Sequence, residues 1–218
     1  MRILALYDIH GNPDGLDAVL ADPRAADPDV VVVGGDVVPG AFCEAVLERL
    51  DGLDAPTEWV RGNGEREATA DDVGAERVRA LAELPLTVTV DGVLFCHASP
   101  RRDDEMLTRL SPPERWADAL AGVDAALVVA GHTHQQDDRM VGAVRFVNAG
   151  SVGLPYEGDG AARWLWIQDG VPELRRTEYD AVAAGRRMRD LSPALAESFD
   201  ASLIEPVDPI VVTRLFES

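Results

Sequence analysis

Short apolar runs punctuate the chain, and several of them end on polar residues able to ligate a metal. Runs at 2–7, 30–34, 57–61, 93–96 and 125–130 have the length and composition of buried strands. Amphipathic stretches at 14–22, 42–51 and 75–84 follow the first three and read as helices, so the opening segment predicts βαβ units and a largely parallel sheet. The rhythm then changes. The runs 87–90 and 93–96 flank Asp91-Gly92, a tight-hairpin signal, and Asp169-Gly170 joins 163–168 to 173–178 in the same way. With a helix at 113–121 and a strand at 144–147, the second half reads as antiparallel. Two mixed sheets packed face to face, with helices outside, accommodate both halves.

An Arg-rich helix at 180–190 closes a single domain, 1–190, which no Pro/Gly/Ser-rich linker divides. The remainder, 191–218, carries Pro193, Pro206 and Pro209 around apolar pieces. It is expected to be a docked tail, an interface element or a partly disordered end, which leaves an oligomer open.

Composition narrows the function classes. No run of eighteen apolar residues occurs, so no membrane span is expected. The first residues enter a strand without the sections of a signal peptide, and a cytoplasmic protein is expected. Cys43 and Cys96 lack CxxC spacing and read as two buried free thiols. The net charge is −19 and every basic residue is Arg, which argues against non-specific nucleic-acid binding while leaving a small phosphorylated substrate open.

Candidate chemistry lies beyond the apolar runs. Asp8-Ile9-His10 puts a carboxylate and an imidazole two residues apart at a strand end, where alternate residues share a face. Gly34-Gly35-Asp36 adds a carboxylate, Gly62-Asn63-Gly64-Glu65 a neutral amide oxygen, and His97 an imidazole. Gly131-His132-Thr133-His134 offers two more, which accounts for all four histidines. One histidine or one Gly-Asp alone reads as a hydrogen-bonded residue or a turn. Their joint occurrence, each after an apolar run, predicts a single metal site in the crevice beyond the strand ends.

This series, Asp8-Ile9-His10, Gly35-Asp36, Gly62-Asn63, His97 and Gly131-His132-Thr133-His134, resembles that of the calcineurin-like metallophosphoesterase superfamily over about three quarters of the chain. The segment 148–155 further resembles one in its small prokaryotic phosphodiesterase-like branch. The resemblance implies a four-layer α/β/β/α sandwich of two mixed sheets with a dinuclear site at one edge. It implies that Asp8, His10, Asp36 and His134 hold one divalent transition metal, and Asp36, Asn63, His97 and His132 a second. Manganese, iron, nickel, cobalt and zinc all suit these N/O donors. Asp36, Asn63 and His97 are the implied catalytic ligands, with in-line attack on phosphorus by a metal-bridging hydroxide.

Many members of that superfamily carry histidine where this chain has Gly64. With the four histidines assigned to metals, none remains as general acid, and a preference for good leaving groups is expected. Glu65 is expected to stay ionised beside Arg61 and Arg66, either bracing the site or forming a salt bridge. Asn12 and Arg101 are candidate substrate contacts, the alternatives being a turn for Asn12 and ion pairing of Arg101 and Arg102 with Asp103, Asp104 and Glu105. The leading function is hydrolysis of phosphodiesters or small organic phosphates. Phosphomonoesterase or nucleotide pyrophosphatase activity, and a non-catalytic scaffold of metal and phosphate binding, are the alternatives.

Overall fold

Alternation along the first strand commits each side chain to one of two interiors. In the computed structural model, which describes Met1 to Ser218, β1 (Arg2–Leu6) is followed by α1 (Pro13–Leu20), β2 (Val30–Val33), α2 (Cys43–Asp51) and β3 (Thr57–Trp59). Leu4 and Leu6 face helices α1 and α2, meeting Leu16, Val19, Val46 and Leu47 in one buried cluster. Ile3, Ala5 and Tyr7 point the other way, into a second cluster with Phe95, Val129 and Val147.

Three short helices, α3 (Asn63–Glu67), α4 (Ala70–Val73) and α5 (Ala75–Ala82), lead to the hairpin of β4 (Thr87–Val90) and β5 (Val93–Cys96). Then come α6 (Pro113–Ala119), β6 (Leu127–Ala130), β7 (Asp137–Val141), β8 (Val144–Asn148), β9 (Ala162–Gln168) and β10 (Val171–Thr177). One sheet has the order β10-β9-β1-β2-β3 and the other β4-β5-β6-β8-β7. The second cluster lies between them, and a third packs Trp116 and Ala119 of α6 under Cys96, Val128 and Phe146. The layers are therefore α/β/β/α. Tyr7, fully buried, ties the two sheets by donating its hydroxyl to the Val129 carbonyl at 3.2 Å.

Both sheets are mixed, and this corrects the antiparallel reading of the second half. Strands β1, β2 and β3 run parallel, and so do β5, β6 and β8. Antiparallel pairing is confined to β1 with β9 and to the pairs β9–β10, β4–β5 and β7–β8. Strand β7 has no counterpart in the sequence reading, because Asp-Asp-Arg-Met-Val at a sheet edge has no apolar face to bury. Parallel strands leave their carboxyl ends on one edge, and that edge of both sheets carries the residues of interest.

The C-terminal segment is folded onto the same edge. Helix α7 (Ala181–Leu191), capped by the Asp180 side chain on the Ala183 N–H, packs Ala181 and Met188 with Leu154, Phe199 and Leu203. Helix α8 (Ala196–Phe199) continues as a π-helical turn, Asp200–Ile204, and α9 (Pro209–Phe216) follows. Ser202 Oγ donates to the Pro155 carbonyl at 2.8 Å. No helix is long and apolar enough to cross a membrane.

Phe95 is completely buried between the sheets. Phe95→Ala should lower the unfolding free energy by about 3–5 kcal/mol through lost burial and a residual cavity, read from urea denaturation. A loss below 1 kcal/mol would show that the inter-sheet layer repacks.

Candidate metal centre

The loops that leave β1, β2 and β6 are wound left-handed at the residues that matter. Asp8, His10, Asp36, His132 and His134 have φ of 52°, 47°, 52°, 68° and 56°. Asp and His tolerate this region better than most side chains, but each instance costs on the order of 1–3 kcal/mol and persists only where the surroundings enforce it. Backbone bonds do so here: the N–H groups of Asp8, His10 and Gly11 donate to Gly35, Asp36 and Val37 across the neighbouring loop.

The strand ends bring seven predicted residues together. Asp8, His10 and His134 form one group and Asp36, His97 and His132 another, each with its potential ligand atoms within 4.8 Å of one another. His134 Nε2 lies 3.4 Å from Asp8 Oδ1 and 3.2 Å from His10 Nε2. Asp36 faces both groups, with Oδ1 3.4 Å from His97 Nε2 and Oδ2 3.7 Å from His10 Nε2. Asn63, at the first turn of α3, lines the same cavity of about 260 Å³ as Asp36, His10, His132 and His134.

Two observations fit this donor set to cations. The Nδ1 atoms of His10, His97 and His134 lie 3.0, 3.0 and 2.7 Å from the carbonyls of Pro39, Gly34 and Leu154. A carbonyl accepts only, so Nδ1 carries a proton, and each ring in its neutral form would present the Nε2 lone pair to the centre, as metal-ligating histidines require. Moreover, Asp8 Oδ1, Asn63 Oδ1, His97 Nε2 and His132 Nε2 are four of the six buried side-chain polar atoms without a hydrogen-bond partner. Such atoms are costly to leave unpaired, and here they converge.

Without a cation the imidazoles and carboxylates of the cluster shift one another's titration. Burial alone would depress the His97 pKa, but the carboxylates of Asp36 and Asp8 outweigh it and raise it to about 10. Burial pushes His132 down to about 4, helped by positive charge on His97. Burial would raise Asp8 and Asp36, yet the facing imidazoles hold both below the usual carboxylate range.

Glu65 is buried but forms no salt bridge, which corrects the ion-pair alternative. Its carboxylate accepts the N–H groups of Asp36, Val37 and Gly62 at 2.8, 2.7 and 2.8 Å, locking the Asp36 loop to the Asn63 turn. Burial and the Asp36 charge raise its pKa to about 7, while the N–H groups of Asp36 and Gly62 favour the charged form. Arg61 and Arg66 pair instead with Asp103. Gly64 donates its N–H to Asp36 Oδ1 at 2.7 Å, and a Cβ there would lie 1.9 Å from the Val38 carbonyl oxygen. The loop thus has no room for a side chain at position 64.

The two candidate substrate contacts, Asn12 and Arg101, are engaged within the protein. Asn12 is wholly buried, capping α1 through Gly15 N–H and donating to the Gly153 carbonyl and Tyr179 hydroxyl, so its amide is fully engaged in bracing. Arg101 is held by Glu105 and the Asp118 carbonyl and does not line the cavity. Asn148 and Ser151 also brace, bonding the Gly131 and Asp8 carbonyls at 2.6 and 2.7 Å. The sequence reading missed Tyr156, whose ring stacks on His134 at 5.1 Å and 13°. Its place directly after the recognisable 148–155 segment was the available signal.

Comparison with known proteins identifies the family and the fold. The calcineurin-like phosphoesterase superfamily domain matches residues 1–166. A metallophosphoesterase from Sphaerobacter thermophilus superposes with a TM-score of 0.75 at 24% identity, covering 92% of this chain and 99% of that one. A hypothetical protein from Pyrococcus horikoshii gives 0.80 at 16% identity, covering 95% and 99%. The phosphoesterase Yfce from E. coli gives 0.55 at 23%, covering 79% and 91%. Among curated proteins, none matches the chain in sequence.

Two outcomes are expected. Because the folded His97 pKa of about 10 exceeds the ordinary 6.5, its pairing stabilises the metal-free protein fully below pH 6.5 and is lost as pH rises through 10. Loading metal at pH 7.5 should therefore release protons, measured calorimetrically in two buffers of different ionisation enthalpy; no release would contradict the charge state. Gly64→Ala should weaken metal affinity by about 10–100-fold in a chelator competition, since it disturbs a bond to a ligand. Unchanged affinity would show that the loop yields without disturbing Asp36.

Proposed function

The chain belongs to the calcineurin-like phosphoesterase superfamily, and on that premise we propose that it hydrolyses phosphodiesters or small organic phosphates with the help of two divalent transition-metal ions. The observation that carries this reading is the convergence of four unpartnered buried ligand atoms at the edge of one cavity, which Asn63 and His132 line and Asp8 and His97 lie behind, with Asp36 facing both groups of candidate ligands. Asp8, His10, Asp36 and His134 would hold one cation, and Asp36, Asn63, His97 and His132 the other. Bound there, the cations supply Lewis acidity towards the phosphoryl oxygens and make water nucleophilic near neutral pH.

The protein's own contribution is orientation and charge. The carbonyls of Pro39, Gly34 and Leu154 fix three imidazoles in one tautomer, so no rotation is needed when a cation or substrate arrives. Asn63 gives an oxygen donor without adding negative charge to a site that must admit a phosphate anion. The Nδ1 protons of His10, His97 and His134 are held by carbonyls, and position 64 has no side chain. With His132 committed to a cation through Nε2, no imidazole would remain to protonate a departing alkoxide, and the leaving group would have to tolerate its own negative charge.

Metal-stripped protein should be inactive and regain turnover of an aryl phosphodiester when Mn²⁺, Ni²⁺ or Zn²⁺ is returned. Asp36→Ala should abolish that recovery while leaving the far-ultraviolet circular dichroism unchanged; an unaltered rate would overturn the assignment. Across phosphodiesters of rising leaving-group pKa, kcat/KM should fall steeply, with alkyl esters roughly 10²–10⁴-fold slower than aryl ones, the range of a missing general acid. Equal rates would locate an acid not identified among these residues.

A further inference from the structure

The cavity lining is of two kinds. Besides His10, His132, His134, Asp36 and Asn63 it includes the apolar or aromatic side chains of Met106, Leu154, Tyr156, Leu195 and Phe216. Leu195 and Phe216 belong to the C-terminal segment, outside the residues matched by the family domain. No Arg or Lys lines the cavity at all.

The segment is pinned at both ends of α9. Thr213 donates its hydroxyl to Gln135 Oε1 at 2.7 Å, and Gln135 Nε2 donates to the Pro209 carbonyl at 2.8 Å, so the residue directly after His134 grips the helix. Glu217 accepts from Thr108 and Ser111 at 2.6 and 2.5 Å and pairs with Arg115 at 3.0 Å. Phe216 sits between these clamps, edge-on to Tyr156 at 6.0 Å, and Tyr156 stacks on His134. The aromatic series thus runs from the tail to a candidate ligand.

We infer that the C-terminal helix is a fixed wall of the active site that selects small phosphoesters bearing one aromatic or similarly sized apolar group. This rests on the phosphoester hydrolysis proposed for the same cavity and narrows its substrate class. The volume of about 260 Å³ falls just below the usual range of roughly 300–1,000 Å³ for ligand pockets, enough for a compact ligand and not for a folded or polymeric one. An apolar group gains from leaving water against Phe216, Tyr156 and Leu195. A polyphosphate chain would bring further negative charge to a wall that offers no cation, within a protein of net charge −19. Nucleotide pyrophosphates are thereby disfavoured against esters with a single phosphoryl group.

The test uses the full-length, metal-loaded protein with two diesters of one leaving group, phenyl 4-nitrophenyl phosphate and methyl 4-nitrophenyl phosphate. Wild type should prefer the phenyl ester by about tenfold or more in kcat/KM, mainly through KM, as an apolar pocket discriminates size. Phe216→Ala should reduce that ratio about tenfold, and Phe216→Leu should retain part of it. Leu215→Ala, 69% exposed on the same helix, should leave it unchanged. Calorimetric binding of phenylphosphonate against methylphosphonate reads the wall independently of turnover. Hydrolysis of both esters with a ratio insensitive to Phe216→Ala, or a dinucleoside polyphosphate cleaved as efficiently, would overturn the inference. Loss of all metal-dependent hydrolysis would instead overturn the phosphoesterase reading. In that event, phenylphosphonate preference abolished by Phe216→Ala would still support the wall, and equal binding of the two phosphonates would refute it.

Discussion

Two fully buried or nearly buried carboxylates, Asp8 and Asp36, face four imidazoles across a gap that hydrogen bonds do not fill, and this is the constraint around which the molecule is arranged. An isolated buried charge or an unpaired buried polar atom is among the most expensive features a fold can hold, and here several share one place. A proton on His97, whose pKa the Asp36 and Asp8 carboxylates raise, offsets part of that cost. Cations bound there would relieve it more completely, since Asp8 Oδ1, Asn63 Oδ1 and the Nε2 atoms of His97 and His132 are all able to ligate.

Holding such a cluster requires a stiff frame. Parallel strands in both sheets deliver the loops to one edge, and the layer between the sheets, anchored by Tyr7 and Phe95, fixes their separation. Backbone wound left-handed at five of the ligand positions turns the side chains inward. Glu65, Asn12, Asn148 and Ser151 then spend their hydrogen bonds on the loop backbones rather than on substrate. The close fit of Gly64 against Val38 belongs to the same economy: a tight loop around Asp36 excludes the side chain that could have served as an acid.

The candidate ligands were legible as a group because each obeys a local rule, a polar residue of metal-competent type just past an apolar run. The layer order followed from the same runs together with the family resemblance. What stayed hidden depends on partners far along the chain. Glu65 looks solvent-paired beside Arg61 and Arg66, and only the fold reveals that Asp103, some forty residues on, takes both arginines. Asn12 has the composition of a turn, and its tie to Tyr179 crosses most of the chain. Strand β7 has too few apolar residues to announce itself, since an edge strand is defined by its neighbour β8. The tail was ambiguous for a related reason: its short apolar pieces acquire meaning only against Gln135, Tyr156 and Thr108.

The most direct test is crystallographic, with data collected on either side of the manganese absorption edge from crystals grown with Mn²⁺. Two anomalous peaks should appear, one among Asp8, His10, Asp36 and His134 and the other among Asp36, Asn63, His97 and His132. A single peak would contradict the dinuclear site, and none, with the seven side chains still converging, would contradict the metal centre itself.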